Sequence, residues 1–146
     1  MTDKRQIFPI AGLFATMAVT AYMVVQLHGQ TRPAGDFSNA VAAEVRDAQG
    51  QVILSGQFAP AAAEEDDDLE RKAVLSATAI ADAAGEAEIE VDNPGQAAQG
   101  DAAQEIEFSV TNLTAGTRVT FFIDGQAIGQ ATVDPRGRAE LEIEVE

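Results

Sequence analysis

The chain has 146 residues, of which 46% are hydrophobic, and this composition indicates one folded domain with an appendage rather than two large domains. It carries 24 acidic and 9 basic side chains and a formal net charge of −15, which argues against a surface that neutralises nucleic-acid phosphates. The absence of cysteine excludes disulfides and thiolate metal sites.

The first element in chain order is an uncharged, apolar segment over residues 7–27. A helix of this length covers the ~30 Å hydrocarbon core of a bilayer, so the segment predicts a transmembrane helix. Lys4 and Arg5 precede it and most acidic residues follow it, which predicts a cytoplasmic N-terminus over residues 1–6. A cleaved signal peptide is the alternative, but its apolar region is usually shorter and no A-x-A-like site follows here. We therefore expect a single-pass protein of the bacterial inner membrane with a periplasmic C-terminal domain.

Small residues recur every four positions within this predicted span, at Gly12, Thr16 and Thr20. Such a stripe allows another membrane helix to approach closely. We expect it to be a helix-packing contact with an integral membrane protein complex. Because alanine is abundant throughout the chain, composition alone is the alternative explanation.

Residues 28–39 contain glycine, proline and polar side chains and predict a linker. After the linker, apolar and polar residues alternate, which is typical of half-buried strands. These patterns predict an antiparallel β-sandwich of about seven or eight strands over residues 40–146. We place the strands near residues 40–47, 51–58, 72–81, 86–92, 104–113, 117–124, 126–134 and 138–146.

Turn sequences support these strand boundaries. Three connections have the pattern Asp-x-x-Gly and begin at Asp47, Asp82 and Asp134. In such a turn the aspartate accepts backbone hydrogen bonds and the glycine adopts a positive φ. A fourth connection, Asp124-Gly125, has the residues that a two-residue type I′ turn requires. The sequence therefore predicts four hairpins.

Glutamate alternates with an apolar residue in two segments, GEAEIEVD from Gly85 and GRAELEIEVE from Gly137. Each segment predicts a strand with one dry face and one solvated face. Residues 82–91 and 134–143 align without a gap, which indicates that the domain consists of two related halves. Chance recurrence of a generic hairpin is the alternative.

Residues 110–145 contain an L-x-A-G-T turn and a V-x-F-x-I-D-G strand, and this stretch resembles the Ig-like or chordin-like β-sandwich modules of bacterial surface proteins. Asp124, Gly125 and Gly129 match as turn residues. The histidines associated with chordin-like domains have no counterpart here. The resemblance implies a fold only, because such modules share an architecture without sharing a function.

The domain offers little for catalysis, since the only histidine, His28, precedes it and no nucleophile-histidine triad can form. The acidic run over residues 64–70 lacks the ligand spacing and the glycine of a calcium loop, which favours a solvated loop, with loose cation binding as the alternative. We therefore expect no enzyme activity, no cofactor and no metal site.

A protein contact is the remaining function. Strand alternation places Ile53 and Phe122 on the outward side of their strands, which is typical of a docking patch, unless a loop covers them or both strand faces are buried. We expect a membrane-anchored extracytoplasmic binding or assembly module, an accessory subunit of a membrane protein complex. Its partners would be that complex and the lipid bilayer, but not nucleic acid. A cation-binding or carboxylate-based enzyme domain, and an acidic spacer of the cell envelope, are the alternatives.

Overall fold

The structure is a computed structural model that describes residues 35–60, 62–63, 68–92 and 103–145. The predicted span 7–27, with Gly12, Thr16 and Thr20, and the first part of the predicted linker lie outside the described residues. Within the described ranges, no helix has the length and hydrophobicity needed to cross a bilayer.

The described residues confirm a mainly β fold and form nine strands that pair antiparallel. The strands are β1 (Ala42–Arg46), β2 (Val52–Gln57), β3 (Ala62–Ala63), β4 (Leu69–Ala77), β5 (Ala84–Val91), β6 (Gln104–Thr111), β7 (Arg118–Ile123), β8 (Gln126–Thr132) and β9 (Ala139–Val145).

Two strands differ from the sequence prediction. The two-residue β3 is not predicted, because it is too short to show alternation. The strand predicted at 72–81 starts and ends earlier, as β4, because Leu69 pairs with Val91 and lengthens the ladder with β5. The chain then bends at residues 78–80, where Thr78 still bonds the backbone of β2.

Hydrogen-bonded ladders join the strands into one sheet with the order β8-β7-β1-β2-β4-β5-β6-β9, and β3 pairs with β4. Phe108 of β6 and Phe121 of β7 are not on neighbouring strands, yet their ring centroids lie 4.9 Å apart. The sheet therefore folds back on itself. Its two edge strands also approach, since a Cβ at Gly129 of β8 would lie 2.7 Å from Leu141 Cδ2 of β9. The result is a nearly closed sheet around one core.

The core consists of the inward residues of the alternating strands. Burying one large apolar side chain contributes about 1.5–3 kcal/mol, so these residues supply most of the stabilisation. The largest fully buried side chains are those of Phe108, Phe121, Leu54, Leu75, Ile89, Ile106 and Ile123.

Three of the four predicted turns are confirmed. The N–H of Gly50 donates to the carbonyl of Asp47, and the N–H of Gly137 donates to that of Asp134, each at 3.0 Å. Both glycines have a positive φ, 81° and 80°, and both aspartate carboxylates accept two further backbone N–H bonds. The Asp124-Gly125 turn has positive φ at both residues, 48° and 81°, as a type I′ turn requires.

The hairpin predicted at Asp82 is confirmed as the antiparallel pair of β4 and β5, but its predicted Asp-x-x-Gly turn is wrong. Asp82 itself has a φ of 66°, held by a 2.8 Å hydrogen bond from the Asn112 side chain to its carbonyl, and the turn closes between Ala83 and Ile80. Gly85 is therefore inside β5 and not in the turn. The Asp134 turn forms, but the hairpin predicted there is wrong, because β9 pairs with β6 and not with β8.

Candidate functional surface

A face of glutamates covers three adjacent strands and is the most distinctive surface of the described residues. β5, β6 and β9 are neighbours in the sheet, and their alternation directs apolar residues inward and glutamates outward. None of these glutamates is buried. The glutamate face comprises Glu86, Glu88, Glu90, Glu105, Glu107, Glu140, Glu142 and Glu144.

The strand register aligns these side chains into rows. One row is Glu88, Glu107 and Glu142, and the next is Glu90, Glu105 and Glu144. Directly opposite residues have Cβ atoms about 4.5–5.5 Å apart, a distance at which like charges destabilise a sheet. Carboxylate oxygens of Glu105, Glu107 and Glu142 lie within 4.8 Å of one another.

Desolvation and crowding oppose ionisation on this face. The pKa of Glu107 is raised above its usual value, first by partial burial and then by the charges of Glu142 and Glu90. The pKa of Glu105 is raised for the same reasons, with burial again the largest cause. The arrangement therefore has excess negative charge that a cationic group would relieve.

Lys72 of β4 compensates one end of the first row. Its Nζ lies 3.1 Å from Glu88 Oε1 and also contacts Glu70. Hydrogen bonds to Glu70 and then Glu88 raise the pKa of Lys72 far above its usual value. At the other end the rows finish on β9, which has no further strand paired to it within the described residues. The negative charge is thus least compensated toward β9.

The glutamate face also borders a shallow cleft of about 240 Å³. Glu90, Asp92, Glu105 and Glu144 line this cleft together with Gln104. Four carboxylates around one concave surface provide oxygen ligands of the kind that hard cations prefer. Within the described residues, this cleft is therefore a candidate cation site in addition to the cluster of Glu105, Glu107 and Glu142.

The predicted solvated loop at residues 64–70 is only partly described. Residues 64–67 lie outside the described residues, and Asp68 is exposed. Leu69 and Glu70 belong to β4 and not to a loop. Cation binding by the acidic run therefore stays a prediction.

Phe122 lies on the outward side of β7, as predicted. It is half-buried, because the guanidinium of Arg46 lies over its ring at 4.3 Å from the centroid. Arg46 also pairs with Glu44, with Nη2 and Oε2 2.6 Å apart. Phe122, Arg46 and Arg118 line a surface cleft of about 340 Å³. Phe122 is thus partly covered by an ion-paired arginine.

The outward placement of Ile53 is wrong, since this side chain is 2% exposed and lies in the core. Arg46 pairs with Val52 and Val45 pairs with Leu54, so Ile53 is an extra residue in β2. This β-bulge turns both Ile53 and Leu54 inward, whereas strict alternation would place them on opposite faces. Ile53 and Phe122 therefore do not form one exposed patch.

Sequence reasoning found the outward glutamates of single strands but missed the glutamate face. The available signal was that two of the alternating segments, and also EIEFSV in β6, place glutamate at every second position. Alternation shows which face a residue is on, but it does not show which strands are neighbours or how they are aligned.

Comparisons with protein-family models, with curated proteins and with solved structures find no match to this chain.

Proposed function

We propose that the chain is a membrane-anchored extracytoplasmic binding module, an accessory subunit of a membrane protein complex, whose glutamate face contacts a basic surface of its partner. The observation that carries the proposal is the alignment of glutamates in rows across β5, β6 and β9. Directly opposed like charges weaken a sheet, so their concentration on one face favours a role in recognition. Opposite charge on a partner would also accelerate association and select the correct partner.

The membrane part of the proposal rests on the sequence. The uncharged segment 7–27, preceded by Lys4 and Arg5, supports a bacterial inner-membrane anchor with a cytoplasmic N-terminus. The folded-back sheet around one core supports the finer interpretation of an Ig-like β-sandwich. The aligned segments lie in β5 and β9 on either side of β6, which supports two related halves.

The test is co-purification of the full-length chain from its native membrane in a gentle detergent. We expect a stoichiometric complex that dissociates as salt is added, because ions screen exposed charges. Combined Glu107→Lys and Glu142→Lys should lower partner retention at least tenfold, equivalent to about 1.4 kcal/mol. Asp82→Asn, in a turn away from the glutamate face, is the matched control and should retain the partner.

Two further variants identify the recruiting element. Gly12→Leu would separate packed membrane helices, and Phe122→Ala would remove the other predicted docking residue. Loss of the partner in either variant, with full retention in the charge-reversal variant, would exclude the glutamate face as the contact. A monomer with no co-purifying protein would instead favour an acidic spacer of the cell envelope.

Cation binding is a second candidate, favoured by the proximity of the Glu105, Glu107 and Glu142 carboxylates. Carboxylate oxygens are the ligands that calcium prefers. Calcium titration of the full-length chain should then raise the thermal midpoint progressively, with about 2.7 kcal/mol of stabilisation when free calcium is one hundred times the dissociation constant.

Combined Glu107→Gln and Glu142→Gln should abolish this calcium response, while Asp82→Asn should preserve it. A midpoint that does not respond to calcium in the unchanged chain would exclude the second candidate.

A further inference from the structure

Residues 35–40, here called the strap, precede β1 and lie against the fold without joining a strand ladder. Phe37 and Ala40 of the strap are buried among the core residues. The N–H of Ala40 donates to the carbonyl of Phe37 at 3.0 Å, which closes a local turn. The second half of the predicted linker is therefore part of the folded domain.

Gln104, the first residue of β6, is hydrogen-bonded to the strap. Its Oε1 accepts the N–H of Phe37 at 2.8 Å, and its Nε2 donates to the carbonyl of Gly35 at 3.3 Å. Gln104 is 7% exposed and is the one buried polar or charged side chain among the described residues. This buried amide bonds the strap through both its oxygen and its nitrogen. Leaving these atoms unpaired would cost free energy, so the amide favours the docked strap.

One charged side chain holds the rest of the strap, and another holds the start of β1. The guanidinium of Arg71 in β4 donates to the carbonyl of Ser38 at 3.0 Å and to that of Ala59. The carboxylate of Asp124 accepts the N–H groups of Val41 and Ala42, at 3.0 and 2.8 Å from Oδ1, where β1 begins. The strap thus contacts β4 and β6, which are separated by β5 in the sheet.

We propose that the strap sets the reach and the orientation of the domain above the membrane. This inference rests on the membrane span of the proposed function. With the strap docked, the seven residues 28–34 can span at most about 25 Å between the predicted helix and the domain, whereas with the strap released the thirteen residues 28–40 can span about 45 Å. Because the strap docks where β5 ends and β6 begins, this end of the sheet faces the bilayer.

The first test measures hydrogen exchange on the full-length chain in detergent micelles, which needs no bilayer. The amide of Phe37 should be protected in the unchanged chain, and Gln104→Ala should accelerate its exchange at least tenfold. Amides of the β5–β6 ladder should keep their protection, which shows that the fold persists. Asn39→Ala is the control, because this exposed side chain bonds only to Ser38 Oγ among the described residues.

The second test measures distance from the bilayer. The chain has no cysteine, so Ala81→Cys in an exposed turn gives a unique label for energy transfer to a dye in neutral lipid vesicles. Gln104→Ala and, separately, Phe37→Ala should lengthen and broaden the distance distribution by up to about 20 Å. Asn39→Ala should leave it unchanged.

The two measurements separate the possible failures. Unchanged exchange at Phe37 in Gln104→Ala would overturn the docked strap. Faster exchange with an unchanged distance would overturn its control of reach. A chain that does not insert into vesicles would refute the membrane anchor of the proposed function and therefore the reach, while the exchange result would still decide whether the strap docks.

Discussion

Asp47 and Asp134 show how one side chain specifies a turn from local chemistry alone. Each carboxylate accepts N–H bonds from backbone groups two and four residues later in the chain. The turn is therefore specified by its own residues and not by distant strands. Asp82 begins the same four-residue pattern, but Gly85 is taken into β5. There a Cβ would lie 2.6 Å from the carbonyl oxygen of Ser109, so this glycine allows close strand approach and not a turn.

Ile53 provides a residue-scale prediction that tests the bulge. Because its side chain is buried, Ile53→Ala should lower the free energy of unfolding by about 2–5 kcal/mol, measured by denaturant-induced unfolding. Val74→Ala is the control, since Val74 is 76% exposed and should change stability by no more than about 0.5 kcal/mol. Equal effects of the two substitutions would show that Ile53 is exposed and that the bulge is absent.

At the scale of elements, β5, β6 and β9 combine a buried apolar side with the glutamate face. The inner residues Ile89, Ile106 and Leu141 hold these strands in the core. That packing keeps the outer glutamates in register despite their mutual repulsion. Outer glutamates can therefore be substituted without changing the inward apolar residues that the core requires.

The same three strands predict how stability depends on pH. The folded state raises the pKa of Glu88, Glu105 and Glu107, chiefly through burial, so it binds protons more tightly than the unfolded chain. Stability from these groups therefore increases as pH falls from 7 toward the ordinary glutamate value of 4.5. The thermal midpoint should therefore rise as the pH is lowered from 7 toward 4.5.

Further acidification should reverse this rise. The pKa values of Asp36 and Asp134 are lowered, mainly by hydrogen bonds from Ser38 and from the backbone of Arg138, so their contribution is lost as pH falls below the ordinary 3.8. Glu107→Gln should flatten the rise between pH 7 and pH 4.5, whereas Asp82→Asn should not. A midpoint that falls steadily from pH 7 downward would contradict the prediction.

At the scale of the whole molecule, pairs of strands that are close in sequence and pairs that are distant in sequence join into one sheet. The β1–β2 and β7–β8 hairpins follow from their turns, but β1 pairs with β7 and β6 pairs with β9 across long stretches of sequence. Those long-range pairs fold the sheet back so that Phe108 meets Phe121.

The sequence by itself determined the mainly β fold, three of the turns, and the face on which most strand residues lie. Turn chemistry and period-two alternation are local, so they can be derived from neighbouring residues. Phe122 was placed correctly for this reason. The membrane span and its small-residue stripe also come from the sequence, and they stay predictions.

Only the tertiary structure decided the strand order, the bulge at Ile53 and the assembly of the glutamate face. Each depends on which strand lies opposite and in what register, and that choice is made by packing of inner side chains from distant parts of the chain. The same holds for the strap, because Gln104 and Arg71 come from separate strands. Alternation predicts that a glutamate faces water, but only pairing places three glutamates in a row.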